Sequence, residues 1–303
     1  GLGDVYKRQL LPSLAAVDLV RALALTEEIG EALTKSSVLA EISFALPASE
    51  AFQVASRIPD PSLGAFALSA AVQRLAAHDP DGALAALDYI PGDRETALAL
   101  VAVEIAAYDR PRAMELMGRI YSVAVRRDAW GTLCLKVAER EPLAAWNIAH
   151  SVEEFPNWAW PGIYAAAARA NPDLVLGELT SLENSQARDR AAAKVAGVLA
   201  ATDPQTAEAL VKSISDPRER FAALRLLVAI VARYDVEGAR ALLGLAADAQ
   251  EVNTLLVDIA AARATYDQTG ALKLLAGLPA TAEKQAVLLD LSLIHISEPT
   301  RPY

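Results

Sequence analysis

The chain has 303 residues, of which 53% are hydrophobic and 22% charged, and its formal net charge at pH 7 is −10. The apolar share is too high for a disordered protein, and no uncharged apolar run approaches the roughly 18 residues that a membrane span needs. The excess of acidic residues argues against a nucleic-acid surface, because such surfaces depend on clustered lysine and arginine.

The two ends of the chain share an unexpected pattern. One end carries Asp4-Val5-Tyr6-Lys7-Arg8-Gln9, and the other carries Leu291-Ser292-Leu293-Ile294-His295-Ile296. The DNA GAT GTG TAT AAG AGA CAG encodes the first, and its reverse complement CTG TCT CTT ATA CAC ATC encodes the second. This DNA resembles a transposase adapter used in sequencing libraries. We therefore expect residues 1–9 and 291–303 to be adapter-derived, and residues 10–290 to be a natural fragment whose true termini are both missing.

Between these ends, acidic or amide residues recur at intervals of 30 or 32 positions: Asp79, Asp109, Glu141, Asn171, Asp203, Asp235 and Asp267. Three positions before each of these anchors stands an alanine: Ala76, Ala106, Ala138, Ala168, Ala200, Ala232 and Ala264. Small or apolar residues also stand twelve and eight positions before each anchor, and four, eight and eleven positions after it. Each set follows one helical face, so every repeat predicts a first helix of about 13 residues and a second of about 10.

The anchors also explain the break between the two helices. Asp and Asn side chains accept hydrogen bonds from the unpaired N–H groups of a helix's first turn. Proline follows several anchors, at the first helical position, where its missing N–H costs nothing: Pro80, Pro142, Pro172 and Pro204. A degenerate pair precedes these repeats, Leu14–Ala32 fits a further pair, and Thr281–Asp290 fits the beginning of another.

Isolated pairs of this size bury too little apolar surface to fold, so each pair must stack on its neighbours. The sequence therefore predicts an all-α chain, a solenoid of about eight stacked antiparallel helix pairs forming a single domain over residues 10–290. Residues at the same position relative to successive anchors form a column, and the alanine columns predict close contacts between helices. Without the tails the chain keeps 25 basic and 36 acidic residues, a net charge of −11.

The period, the small-residue columns and the proline-marked turns resemble tetratricopeptide-like helical repeats over residues 33–290. The tetratricopeptide pattern differs, with a period of about 34 and a Trp, a Leu-Gly pair and a Tyr in its first helix. Here the period is 30 to 32 and no repeat carries that set. The resemblance implies a right-handed α-solenoid that acts as a scaffold or binds peptides on its concave face, and it implies no catalytic residue.

Aromatic residues concentrate around the middle repeats. Trp130 and Trp160 stand eleven positions before their anchors, where most repeats have leucine, and Tyr164 follows Trp160 by one turn. Core packing is the simpler interpretation of these three residues. Trp158 stands thirteen positions before its anchor, in a column of mixed residues, and an exposed tryptophan there would anchor a partner. We predict a partner-binding site at Trp158, Trp160, Trp130 and Tyr164.

Several first helices also carry apolar residues away from their main stripe, among them Val103, Leu226 and Ile230. Two interpretations stay open, burial between neighbouring helix pairs and a shallow apolar groove on the inner surface. The accessibility of Val103 and Ile230 discriminates between them.

No motif for catalysis stands out. The chain has no glycine-rich phosphate loop, no Gly-x-Ser-x-Gly, no Cys-x-x-Cys and no His-Glu-x-x-His. Cys134 is the only cysteine and lies in a core column, which favours a buried structural thiol. We therefore expect no enzyme activity, no cofactor and no metal.

The leading hypothesis is an interaction scaffold, part of a longer bacterial-type protein, that binds a protein or peptide but no nucleic acid and does not insert into a membrane. The alternative is an accessory repeat region of a larger enzyme or sensor whose functional domain lies outside the fragment. The composition leaves the compartment undetermined.

Overall fold

In the computed structural model the described residues are 10–90, 92, 94–264 and 266–297, and all regular elements among them are helices. The all-α prediction is therefore confirmed for this part of the chain. The tails predicted to be adapter-derived lie mostly outside the described residues, since only 291–297 belong to them, as the end of the last helix.

Residues 10–15 are helical. The α-helices that follow are α1 (Leu19–Glu27), α2 (Ala32–Ala45), α3 (Ala48–Ala55), α4 (Pro61–Ala76), α5 (Pro80–Ala86), α6 (Arg94–Ile105), α7 (Arg110–Gly118), α8 (Val123–Ala138), α9 (Pro142–Ser151), α10 (Trp160–Ala170), α11 (Pro172–Glu178), α12 (Ser185–Leu199), α13 (Pro204–Ser213), α14 (Pro217–Val231), α15 (Val236–Ala241), α16 (Ala249–Arg263), α17 (Gln268–Ala276) and α18 (Ala282–Ser297). Short 3₁₀ turns extend α5, α11 and α15 over Leu87–Tyr89, Leu179–Ser181 and Leu242–Leu245.

The helices group into two compact units, divided between Pro156 and Asn157. In the first unit, α2, α4, α6 and α8 contact one another in chain order, and each also packs against the helix that follows it. In the second unit, α10, α12, α14, α16 and α18 contact one another in chain order, and the shorter helices between them pack in the same way. Helix pairs thus contact their neighbours in sequence within each unit.

The predicted alanine columns lie inside the helix packing. All seven alanines that stand three positions before an anchor are at most 6% exposed, and the residues twelve and eight positions before each anchor are buried as well. The alanine side chain is a single methyl group, so the alanine positions allow neighbouring helices to approach closely. The burial of these columns confirms that part of the prediction.

Six of the seven anchors cap the second helix of their pair as predicted. The Asp79 carboxylate accepts a hydrogen bond from the N–H of Gly82 at 2.9 Å, and the Asp203 carboxylate accepts one from the N–H of Thr206 at 3.1 Å. The same bond forms at Asp109, Asn171, Asp235 and Asp267. Glu141 is the exception, because its longer side chain makes no capping bond and forms an ion pair with Arg110 instead.

Polar side chains on the first helices also bind the loop that leads to the next pair. One oxygen of the Asp189 carboxylate accepts hydrogen bonds from the backbone N–H groups of Ser215 at 3.1 Å and Asp216 at 2.8 Å. The Glu95 carboxylate, fourteen positions before its anchor like Asp189, holds the N–H groups of Tyr121 and Ser122. These bonds fix the position at which the following first helix begins.

Candidate functional site

The first helix of the second unit, α10, is shorter than its equivalents. It begins at Trp160, eleven positions before its anchor Asn171, whereas α12, α14 and α16 begin eighteen positions before theirs. Pro161 occupies the first turn of α10. A helix that began about two turns earlier would place this proline in its interior, where it removes a backbone hydrogen bond. Trp158 therefore lies in a turn ahead of α10, not on a helix as its column position suggested.

Trp158 lines a surface groove of about 460 Å³ in the second unit. We call this the Trp158 groove, and its lining comes from the turn before α10, from α10 itself, and from α12 and α14: Trp158, Pro161, Arg190, Ala193, Lys194, Glu219, Ala222, Ala223 and Leu226. The alanines among them contribute only methyl groups, which leaves room between the larger side chains. Trp158 is 50% exposed and Leu226 is 47% exposed, so the groove presents two large apolar surfaces to solvent.

The position of Leu226 depends on a glycine of the neighbouring helix. A Cβ atom added at Gly197 on α12 would stand 2.5 Å from the Leu226 Cδ2 atom, closer than carbon atoms pack. Because Gly197 has no side chain, the Leu226 side chain rests against α12. An alanine at position 197 would push this side chain away from its place in the groove.

The charged residues of the Trp158 groove carry a net positive charge. The Arg190 Nε atom lies 2.9 Å from a Glu219 carboxylate oxygen, so these two residues form an ion pair. Lys194 is exposed and makes no ion pair with any described residue. Two cations and one carboxylate thus leave one unbalanced positive charge in a chain whose net charge is −10.

Trp160 and Tyr164 are not among the residues that line the Trp158 groove. Their ring centroids are 5.8 Å apart in an edge-to-face arrangement, and Trp160 is half-buried. Tyr164 is fully buried, its hydroxyl donates a hydrogen bond to the Glu178 carbonyl oxygen at 3.2 Å, and burial raises its pKa. Tyr164 therefore packs against the Trp160 ring from the core, and its side chain has no exposed surface that a partner could contact.

Trp130, the fourth predicted residue, belongs to the first unit. It is half-buried and lines a groove of about 480 Å³, together with Met114, Val123, two arginines and two glutamates. The charges of the arginines, Arg126 and Arg127, and of the glutamates, Glu153 and Glu154, balance. The structure thus places Trp158, Trp160 and Tyr164 on or next to one helix and Trp130 in a different groove.

The apolar residues away from the main stripes have different environments. Val103 is buried, which fits packing between neighbouring helix pairs, and Ile230 is half-buried. Leu226 alone of the three lines the Trp158 groove. Burial between neighbouring pairs therefore fits Val103, whereas the apolar groove on the inner surface stays a prediction.

Sequence analysis did not single out Lys194 or Arg190, although the repeat register contains a signal for both. Arg190 stands thirteen positions before Asp203, as Trp158 stands thirteen before Asn171. Lys194 and Leu226 each stand nine positions before their anchors. Residues with equal register on successive first helices share one face when those helices stack in chain order. Comparing columns across repeats would have grouped these side chains.

The described residues contain no cluster of histidine, cysteine and carboxylate side chains that would hold a metal ion. Cys134 is fully buried, and burial raises its pKa to about 12, so its thiol stays protonated at neutral pH. Among the described helices none has both the length and the apolar character needed to cross a membrane. The chain matches no protein-family model, no curated protein and no solved structure.

Proposed function

We propose that this chain is a non-catalytic interaction scaffold that binds a protein or peptide, and that the Trp158 groove is its contact surface. The observation that carries the proposal is the half-exposed indole of Trp158, which lines a groove together with an exposed Leu226 and the Arg190–Glu219 ion pair. Tryptophan is enriched among the residues that dominate binding energy at protein interfaces. Removing apolar surface from water is favourable, so a partner that covers this surface gains binding free energy.

We further propose that the helix pairs of each unit form a tetratricopeptide-like α-solenoid. Two features support this proposal, the contacts between first helices in chain order and the buried alanine columns that repeat with the anchors. In such a stack the first helices share one surface, and the Trp158 groove is lined by three consecutive first helices and the turn before one of them. The right-handed twist and the total of about eight pairs stay predictions.

The proposal is tested by partner capture with the whole chain and two single variants. Trp158→Ala removes a half-exposed indole from a turn and should leave the circular dichroism spectrum unchanged. Tyr234→Ala is the matched control, because Tyr234 is an exposed aromatic residue outside the Trp158 groove. A hot-spot tryptophan costs about 2 kcal/mol or more when truncated, which weakens binding about 30-fold.

We expect a partner that is recovered by the original chain and by Tyr234→Ala but lost by Trp158→Ala. A photo-crosslinking residue at position 158 should then attach to the same partner, whereas one at position 234 should not. Equal recovery of every partner by all three chains would remove the Trp158 groove as the contact surface.

A further inference from the structure

We infer that the Trp158 groove binds acidic peptide segments that carry one large apolar side chain. This inference rests on the proposed function and names the chemistry of the partner. Trp158 and Leu226 supply two exposed apolar side chains to one groove, and the alanines of its lining leave open space. An aliphatic or aromatic side chain that fills the groove would cover apolar surface of both.

The size of the groove favours a short segment. Its volume of about 460 Å³ lies in the range of sites that hold a small ligand, which corresponds to a few side chains rather than a folded domain. A peptide that enters it by one apolar residue brings the residues on either side close to the charged groups of the lining, Arg190, Lys194 and Glu219. These flanking residues therefore determine which peptides are accepted.

The net charge of the groove lining favours a carboxylate partner. Arg190 and Glu219 neutralise one another, but Lys194 has no ion-pair partner among the described residues. A glutamate or aspartate next to the apolar anchor would supply that partner, whereas a lysine or arginine would be repelled by Lys194. The positive charge in the groove attracts an acidic segment although the chain as a whole is acidic. The groove around Trp130 has balanced charges and offers no such preference.

Two residues separate the apolar and the ionic contributions. Lys194→Glu reverses the unpaired charge and should weaken the binding of an acidic peptide about tenfold, with the loss shrinking at high salt. Its control is Lys212→Glu, because Lys212 pairs with Glu208 on α13 and does not line the groove. Gly197→Ala displaces Leu226 and should also weaken binding. Its control is Gly177→Ala, where an added Cβ meets nothing within 4 Å.

The test measures fluorescence anisotropy of labelled synthetic peptides with the whole chain. One set carries a leucine or phenylalanine flanked by glutamates, a second has serine in the apolar position, and a third has lysines in place of the glutamates. We expect only the first set to bind the original chain. Binding should fall with Trp158→Ala, Lys194→Glu and Gly197→Ala and should persist with the two controls.

The outcomes distinguish this inference from the proposed function. Equal binding of glutamate- and lysine-flanked peptides, lost with Trp158→Ala, would overturn the acidic preference and leave the peptide-binding groove intact. Binding of the serine set as tightly as the apolar set would overturn the apolar anchor. If no peptide binds while a captured partner still depends on Trp158, the inference fails and the proposed function stands. If nothing depends on Trp158, both fail.

Discussion

Removal of the Asp189 carboxylate tests how consecutive helix pairs are held together. Asp189 is a charged residue of α12 that is only 5% exposed, and one of its oxygens binds the N–H groups of both Ser215 and Asp216. Asp216 in turn caps α14, because its carboxylate accepts hydrogen bonds from the N–H groups of Arg218 and Glu219. Asp189→Ala should therefore loosen the loop that positions the start of α14.

The expected loss is about 2 kcal/mol. A hydrogen bond to a charged group contributes about 1.5–3 kcal/mol, and two such bonds are lost. The loss stays near the value for one bond, because Ser215 and Asp216 are exposed and water can reach their N–H groups once the carboxylate is gone. Asp189→Asn keeps an oxygen acceptor at the same place without the charge and should lose about 1 kcal/mol.

Hydrogen exchange detected by mass spectrometry measures this link directly, because it resolves the loop and the first turn of α14 from the rest of the chain. A loss of 2 kcal/mol corresponds to about 30-fold faster exchange of the amides there. Asp173→Ala is the control, since Asp173 is an exposed carboxylate in the first turn of α11. Exchange in Asp189→Ala as slow as in this control would refute the reasoning. An effect of Asp189→Asn as large as that of alanine would show that charge, and not the hydrogen bonds, matters.

Three further predictions follow from the packing, the caps and the buried thiol. Ala200→Leu should overpack its buried column and lower the free energy of unfolding by about 1–3 kcal/mol, as measured by urea denaturation. Ala201→Leu, at the exposed neighbouring position, is the control and should change the free energy of unfolding little. Asp203→Ala should lower the free energy of unfolding at pH 7, and Asp203→Asn should lower it much less. Hydrogen bonds with Thr206 lower the pKa of Asp203 from its ordinary value, so its contribution to stability is present above the unfolded-state pKa and is lost as the pH falls through the folded-state pKa. Equal stability of both variants at pH 7 would contradict the cap. Cys134, with a pKa of about 12, should resist a thiol reagent at pH 8 until the chain is unfolded. A cysteine introduced in place of the exposed Ala201 is the control and should react at once. Rapid labelling of Cys134 in the native chain would contradict its burial.

Local sequence patterns were sufficient to predict the helices and their caps. Helical spacing identifies which face of a helix is apolar, and a capping bond joins residues only three positions apart, so neither depends on distant parts of the chain. The buried alanines at Ala76, Ala138 and Ala232 and the cap at Asp203 were predictable for this reason. Glu141 deviates because the anchor pattern tolerates a side chain that is too long for the cap.

The environment of the candidate site could not be predicted in the same way. Trp160 and Tyr164 stand in columns that pack inward, and the structure buries Tyr164 completely but Trp160 only in part. Trp158 is exposed, but it lies in a turn ahead of α10 and not on a helix. The sequence predicts one repeat domain over residues 10–290, and the structure groups the helices into two compact units. Pro161 explains the shortened helix locally, whereas the grouping does not follow from the repeat columns, because it depends on which elements meet in space.

The helical class and the face that each helix buries can be read from the sequence, because they arise from residues within about four positions of one another, and the repeat can be read from the regular spacing of its anchors. Tertiary packing brings Trp158, Lys194 and Leu226, which stand successively 36 and 32 positions apart, into the lining of one groove. It also decided that Gly197 makes room for Leu226 and that Lys194 is left without an ion pair among the described residues. Exposure and charge balance are properties of neighbours in space, and a single helix pair does not contain those neighbours.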